Sequence, residues 1–174
     1  MRTEEGFLKR LAKLIGIAVG IVVLTSPFWF PVRADRSCER RRSLHCFVNL
    51  RSTAFALLTY IQDYDEVFPP ASRWMDCVLP YLRQGNSPDA LRCPSVSPPG
   101  FGYAYNSRLS KVSLLSIERS AQTPLVYDSF KLSRNASDPV TSLPDPPRHE
   151  GFHGMCFTDG HARGVKPGTY GTPP

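Results

Sequence analysis

The segment SLHCFVNLRSTAFALLTYIQDYDEVFPPA, Ser43 to Ala71, places Leu44, Phe47, Leu50, Ala54, Leu57, Ile61 and Tyr64 at intervals of three or four. At 3.6 residues per turn, that spacing describes one face of an amphipathic helix. The helix is predicted to end near Tyr64. Asp65-Glu66-Val67-Phe68 leads into Pro69-Pro70, and the residue before a proline is pushed out of the α region. A helix that is wet on one side buries the other, and a sheet in the C-terminal part of the chain is its expected partner.

Working back towards the N-terminus, Leu14 to Val32 is a run of nineteen residues without a formal charge, flanked by Lys13 and Arg33. As a helix it would be about 28 Å long, enough to cross a bilayer core. Pro27 and Pro31 interrupt its hydrogen bonding. Val32-Arg33-Ala34 puts a bulky residue where signal peptidase needs a small one, so a retained anchor is expected rather than a cleaved leader. The chain divides accordingly into a basic segment 1–13, an apolar anchor 14–32, an amphipathic stem 33–65 and a head 66–174. Seventeen prolines and twelve glycines, concentrated after Phe68, make that head loop-rich.

The net charge of +6 does not point to nucleic acid, because Arg33, Arg36, Arg40, Arg41 and Arg42 directly follow the apolar run. Basic residues there meet lipid headgroups or form the solvated side of a helix. The five cysteines, at 38, 46, 77, 93 and 156, lack the Cys-x-x-Cys pairing of zinc ribbons and thioredoxin-like motifs, so disulfides are the expected use. Cys77 and Cys93 bracket sixteen residues containing Pro80, Gly85 and Pro88, a loop that a bridge can close. Such bridges place the head outside the cytoplasm. Cys156, between Met155 and Phe157, reads as a small buried apolar residue.

Towards the C-terminus, Met155 to Thr158 and His161 to Val165 flank Asp159-Gly160, the favoured pair of a two-residue type I′ turn. A hairpin over 155–165 is predicted, with Phe157 opposite Ala162 and Thr158 opposite His161. Just upstream, His149-Glu150-Gly151-Phe152-His153 spells H-E-x-x-H, the zinc-hydrolase signature in which two histidines share a helical face. Pro144, Pro146, Pro147, Gly151 and Gly154 deny it a stable helix. Three readings therefore stand. His149, Asp159, Gly160 and His161 hold the loop and hairpin together; or some of His149, His153, Asp159 and His161 form a non-catalytic extracytoplasmic metal site; or the chain is a membrane-tethered zinc metallopeptidase. The first is adopted, with no catalytic residue, no metal and no cofactor. Asn135-Ala136-Ser137 reads as an exposed loop.

Several fragments occur in a characteristic order: Cys46-Phe-Val-Asn49-Leu50-Arg51, Ala56 through Pro69-Pro70-Ala71, Trp74, Leu79-Pro80-Tyr81-Leu82, Cys93-Pro94-Ser95, Tyr103-Ala104-Tyr105-Asn106 and Leu125-Val126-Tyr127-Asp128. Arg148-His149, nine residues and Asp159-Gly160-His161 close the series as an H-X9-DG segment. In this the chain resembles the DUF1559-like group of prepilin-type proteins, type IV pilin-like proteins and pseudopilins, from Cys46 onward. Gly6-Phe7 is similar to a prepilin peptidase junction. The glutamate of the family's fifth mature position is replaced by Leu11, and Lys9, Arg10 and Lys13 charge a segment that is normally apolar. The resemblance implies an α+β fold, a long N-terminal helix packed on a small antiparallel sheet. It also implies a non-enzymatic, single-pass bacterial inner-membrane protein with an extracytoplasmic head. Its partners would be the membrane and other pilin or pseudopilin subunits of a type II secretion or pilus-like assembly, not nucleic acid.

Overall fold

The computed structural model describes residues 13–15, 37–82 and 88–169. The chain divides into two compact units, Met1–Cys38 and Glu39–Pro174. In the first, residues 13–15 and 37–38 are described, all helical. Most of the predicted anchor at 14–32 lies outside the described residues, as do Gly6 and Phe7. Among the described residues, no helix is long and apolar enough to cross a membrane.

The predicted stem forms a helix, α1, over residues 37–63. Its buried stripe runs Cys46, Leu50, Thr53, Leu57, Tyr60, with Ala54 and Ile61 beside it. Leu50, Ala54, Leu57 and Ile61 lie on the predicted face, but Leu44 and Tyr64 are exposed. The helix is thus rolled towards Cys46 and Thr53, two residues an apolar count overlooks. Thr53 is admitted to the interior because its hydroxyl donates to the Ala90 carbonyl at 3.1 Å. Asp65 and Glu66 end the helix in the left-handed region, at φ 52 and 59. There the Glu66 amide bonds the Ile61 carbonyl at 2.8 Å, a six-to-one closure that satisfies an orphan helix carbonyl before the prolines are reached.

The head opens with a one-turn helix, α2 (Trp74–Val78), between short 3-10 turns. Trp74 stacks on Tyr105 and donates its indole N–H to the Ala136 carbonyl at 3.0 Å. Five strands follow: β1 (Tyr103–Asn106), β2 (Pro124–Asp128), β3 (Ser137–Asp138), β4 (His153–Phe157) and β5 (Ala162–Val165). They form one sheet ordered β3-β1-β2-β4-β5. The pairs β1–β2, β2–β4 and β4–β5 are antiparallel as expected. The two-residue edge strand β3 pairs parallel to β1, so the sheet is mixed.

Alternation along each strand splits the core in two. Tyr103, Tyr105, Val126 and Cys156 pack with Leu50, Leu57 and Ile61 of α1. Ala104, Tyr127, Met155 and Phe157 pack on the other side with Ala136 and Val140. Each fully buried Leu, Ile, Val or Phe contributes about 1.5–3 kcal/mol, and this burial holds α1 to the sheet. Asn135 does not head an exposed loop. It is half-buried at φ 57, its side chain accepting from the Met75 amide at 2.8 Å and donating to Asp76 at 2.7 Å.

The β4–β5 register differs from expectation by one residue. Cys156 pairs with Ala162, and the Phe157 amide bonds the His161 carbonyl at 3.0 Å. Thr158, Asp159 and Gly160 therefore form a three-residue loop. Of these three only Gly160 has positive φ, at 88. A type I′ turn needs positive φ at both central residues, whereas a type I turn followed by a left-handed glycine needs it once. The Asp159 carboxylate secures the shorter requirement by accepting from the His161 amide at 3.1 Å.

Candidate functional site

Four ligand-type side chains meet beneath α1: Cys46, Cys93, Asp128 and His149. All are buried, and their sulfur, nitrogen and carboxylate atoms lie within 4.8 Å of one another. Each arrives on a different element. Cys46 is one turn before Asn49 on α1, and the two face the same way. Asn49 donates to the Arg92 carbonyl at 2.9 Å, and Thr53, one turn on, holds Ala90, so α1 grips the loop that delivers Cys93. The Cys93 amide is fixed in turn by the Phe101 carbonyl at 2.8 Å.

Asp128 ends β2 and points to the α1 side, opposite Tyr103 in the register. Its Oδ2 accepts the Gly154 amide at 2.6 Å. That approach requires a glycine, because a Cβ at 154 would come 2.6 Å from Leu50 Cδ1 and 3.1 Å from Asp128 Oδ2. His149 is set by its neighbour Arg148, whose guanidinium donates to the carbonyls of Gly102 at 3.0 Å and Ser129 at 2.7 Å. Those two carbonyls adjoin Tyr103 and Asp128, so one arginine clamps the turn to the ends of β1 and β2.

Within the cluster, Cys93 Sγ is 3.4 Å from His149 Nε2, and Cys46 Sγ is 3.5 Å from Asp128 Oδ1. His149 Nε2 is 3.5 Å from Asp128 Oδ2, and Cys46 Sγ is 3.1 Å from the Tyr103 hydroxyl. Hydrogen bonding from Cys46, helped against burial by His149, draws the Cys93 thiol below its ordinary range. Burial pushes the Cys46 thiol up. Burial disfavours the His149 imidazolium, but Asp128 and Cys93 outweigh it and raise the ring to about 9. The site thus gathers two thiols, an imidazole and a carboxyl group at one buried point.

Such a donor set can bind a divalent metal, and two thiols this close can also be oxidised. Its geometry differs from that of a Cys-His-Asp relay. In a Cys-His-Asp relay the thiol and the carboxylate use opposite ring nitrogens. Here both face Nε2, while His149 Nδ1 is buried without a hydrogen-bond partner. Phe47 lies over the ring, with centroids 6.5 Å apart.

The residues singled out in the sequence are dispersed. His149 joins the cluster, but Asp159 and His161 form their own pair, at 2.6 Å, on the part-exposed hairpin tip. His161 also stacks on Phe157. His153 starts β4, buried, with Nδ1 unpartnered, and burial lowers its basicity. H-E-x-x-H occupies a turn: Glu150 and Gly151 take φ 49 and 87, and Glu150 is exposed. The expected Cys77–Cys93 bridge is not formed. All five cysteines are free thiols, Cys77 is half-buried, and Cys93 is turned into the cluster, where Cys46 and His149 engage it. Sequence reasoning missed Asp128 and the meeting of Cys46 with Cys93, although each of the four residues falls within one of the ordered fragments. The chain matches no protein-family model, no curated protein and no solved structure.

Proposed function

We propose that this chain is a non-enzymatic, membrane-anchored pilin-like protein. In this reading it has an apolar anchor in a bacterial inner membrane, a stem helix, and a loop-rich head outside the cytoplasm that packs with pilin or pseudopilin subunits. The observation that carries the reading is a second apolar row on α1. Leu44, Val48 and Phe55, spaced four and seven apart, are more than half exposed on one side of the helix. Leu44 and Phe47 continue the row into a groove against Phe152 and Gly164, and with Val48 into another against Gly160 and Ala162. Both grooves are also lined by charged side chains, Arg40 and Glu150 in the first and Arg51 in the second, and exposed apolar side chains grouped in this way are what neighbouring subunits bury. The nineteen uncharged residues Leu14 to Val32 precede that helix in sequence. A non-catalytic role is supported by the turn at H-E-x-x-H, which offers no helical face for two histidines.

Fractionation of the full-length chain tests the proposal. Recovery in the membrane pellet after high-salt and alkaline washes is expected, released only by detergent. Intact mass then reads the mature N-terminus and any N-methylation. Recovery in the cytosol with the N-terminus intact would end the anchor reading.

A further inference from the structure

The Cys46–Cys93–Asp128–His149 cluster draws four ligand-type side chains from four separate elements to one buried point. Buried polar groups ordinarily close direct hydrogen bonds, and charge-assisted ones run to about 2.7–2.9 Å. The His149 Nε2–Asp128 Oδ2 contact, at 3.5 Å, is longer than that, while the two sulfur contacts, at 3.4 and 3.5 Å, have the length of ordinary sulfur hydrogen bonds. The four donor atoms also all lie within 4.8 Å of one another, near enough to close on one ion. Zinc bonds of about 2.3 Å to sulfur and about 2.0–2.2 Å to nitrogen and oxygen give edges of roughly 3.4–3.8 Å. From this geometry we propose that Cys46 Sγ, Cys93 Sγ, His149 Nε2 and one Asp128 carboxylate oxygen form a structural zinc site.

The donor types fit the ion. Two thiolates and an imidazole suit zinc over the hard cations, which take oxygen shells. Four protein ligands fill a tetrahedron and leave no position for a substrate, as in structural rather than catalytic zinc. Outer contacts hold the other donors and the turn that carries the histidine, while His149 Nδ1 itself has no hydrogen-bond partner. The Tyr103 hydroxyl lies on the Cys46 sulfur, the Gly154 amide bonds Asp128, and Arg148 clamps the turn carrying His149. The ion would fasten α1 to the Cys93 loop, the end of β2 and the turn before β4. This is independent of the pilin-like reading and would hold in a head of any function.

The test uses the full-length chain in detergent, reduced, exposed to zinc and freed of excess metal. One zinc per chain is expected by elemental analysis, and a chelator should remove it and lower the melting temperature. Cobalt in its place should show thiolate charge transfer and the intense visible bands of a tetrahedral site. Cys93→Ser and His149→Ala should lower retained metal at least tenfold, while Cys156→Ser, a buried thiol outside the cluster, retains it. Should the ligand variants fail to fold, alkylation of wild-type Cys46 and Cys93 must become faster on chelation. Chains that bind no zinc with both thiols free overturn the proposal, as does zinc that survives Cys93→Ser. Protein as isolated, before any reduction, that is metal-free and lighter by two hydrogens, with Cys46 and Cys93 peptides linked, overturns it in favour of a disulfide.

Discussion

Gly154→Ala probes how the buried carboxylate is held. A methyl at 154 must displace Leu50, whose Cδ1 would be 2.6 Å away, and crowd Asp128 Oδ2 at 3.1 Å. Leu50 and Asp128 are both fully buried, so neither can swing into solvent. Overpacking of this kind costs about 1–3 kcal/mol. If the carboxylate yields, its 2.6 Å bond from the Gly154 amide weakens, and bonds to charged groups are worth about 1.5–3 kcal/mol. Restricting the unfolded chain returns about 0.4–1 kcal/mol. The net expectation is a loss of about 2–4 kcal/mol. It is measured by chemical denaturation of the detergent-solubilised chain, with the fluorescence of buried Trp74 among the signals. The cause is separable. Leu50→Ala alone should cost about 2–5 kcal/mol, but it also makes room for the methyl. The double variant should therefore cost less than the sum by at least about 1 kcal/mol. A Gly154→Ala protein within about 0.5 kcal/mol of wild type, or strictly additive losses, would refute the packing argument.

Asp138 carries an acid-sensitive part of the stability. Burial opposes its ionisation, but Ser142, Tyr127, the Thr141 amide and Lys131 outweigh burial and lower its pKa from 3.8 to about 2. Because the folded value is the lower one, the stabilisation is complete above about pH 4 and disappears as pH falls towards 2. It amounts to roughly 2 kcal/mol, and Asp138→Asn should flatten the acid limb of a stability–pH curve. Glu150→Gln should change stability by less than about 0.5 kcal/mol, the side chain being exposed. His149→Ala, which strips the buried Asp128 of its ion-pair partner, should cost about 3–5 kcal/mol. Peptidase activity abolished by Glu150→Gln would contradict the non-catalytic reading. Asn135→Ala should be worse than Asn135→Gly by about 1 kcal/mol in thermal unfolding, since both lose the Met75 and Asp76 bonds but only alanine resists φ 57.

Much of this architecture is visible in local patterns, and its failures have local causes. Alternation in Tyr103-Ala104-Tyr105 and the apolar run Leu125-Val126-Tyr127 mark β1 and β2 within one or two residues. The helix is placed correctly but rolled, because Cys46 and Thr53 become buried only through partners 37 to 82 residues away. The hairpin is placed correctly but slipped by one, because Asp159-Gly160 suits two loop lengths and the Asp159–His161 contact chooses between them. β3 is too short to show any period. The cluster obeys no spacing rule at all. Nearness in sequence points Cys93 towards Cys77, whereas α1 and the Arg148 clamp bring it to Cys46 and His149.

The Cys46–Cys93–Asp128–His149 cluster also has a consequence for the order of assembly. Its contacts join residues 56 and 82 positions apart, and its last member lies beyond β2 in the chain. Ring closures of that length lag behind neighbouring-strand pairing such as β4 with β5. Contacts made after the rate-limiting barrier leave the forward rate nearly unchanged when they are removed. Changes at these four positions should therefore shorten the lifetime of the native head while leaving its speed of formation almost untouched.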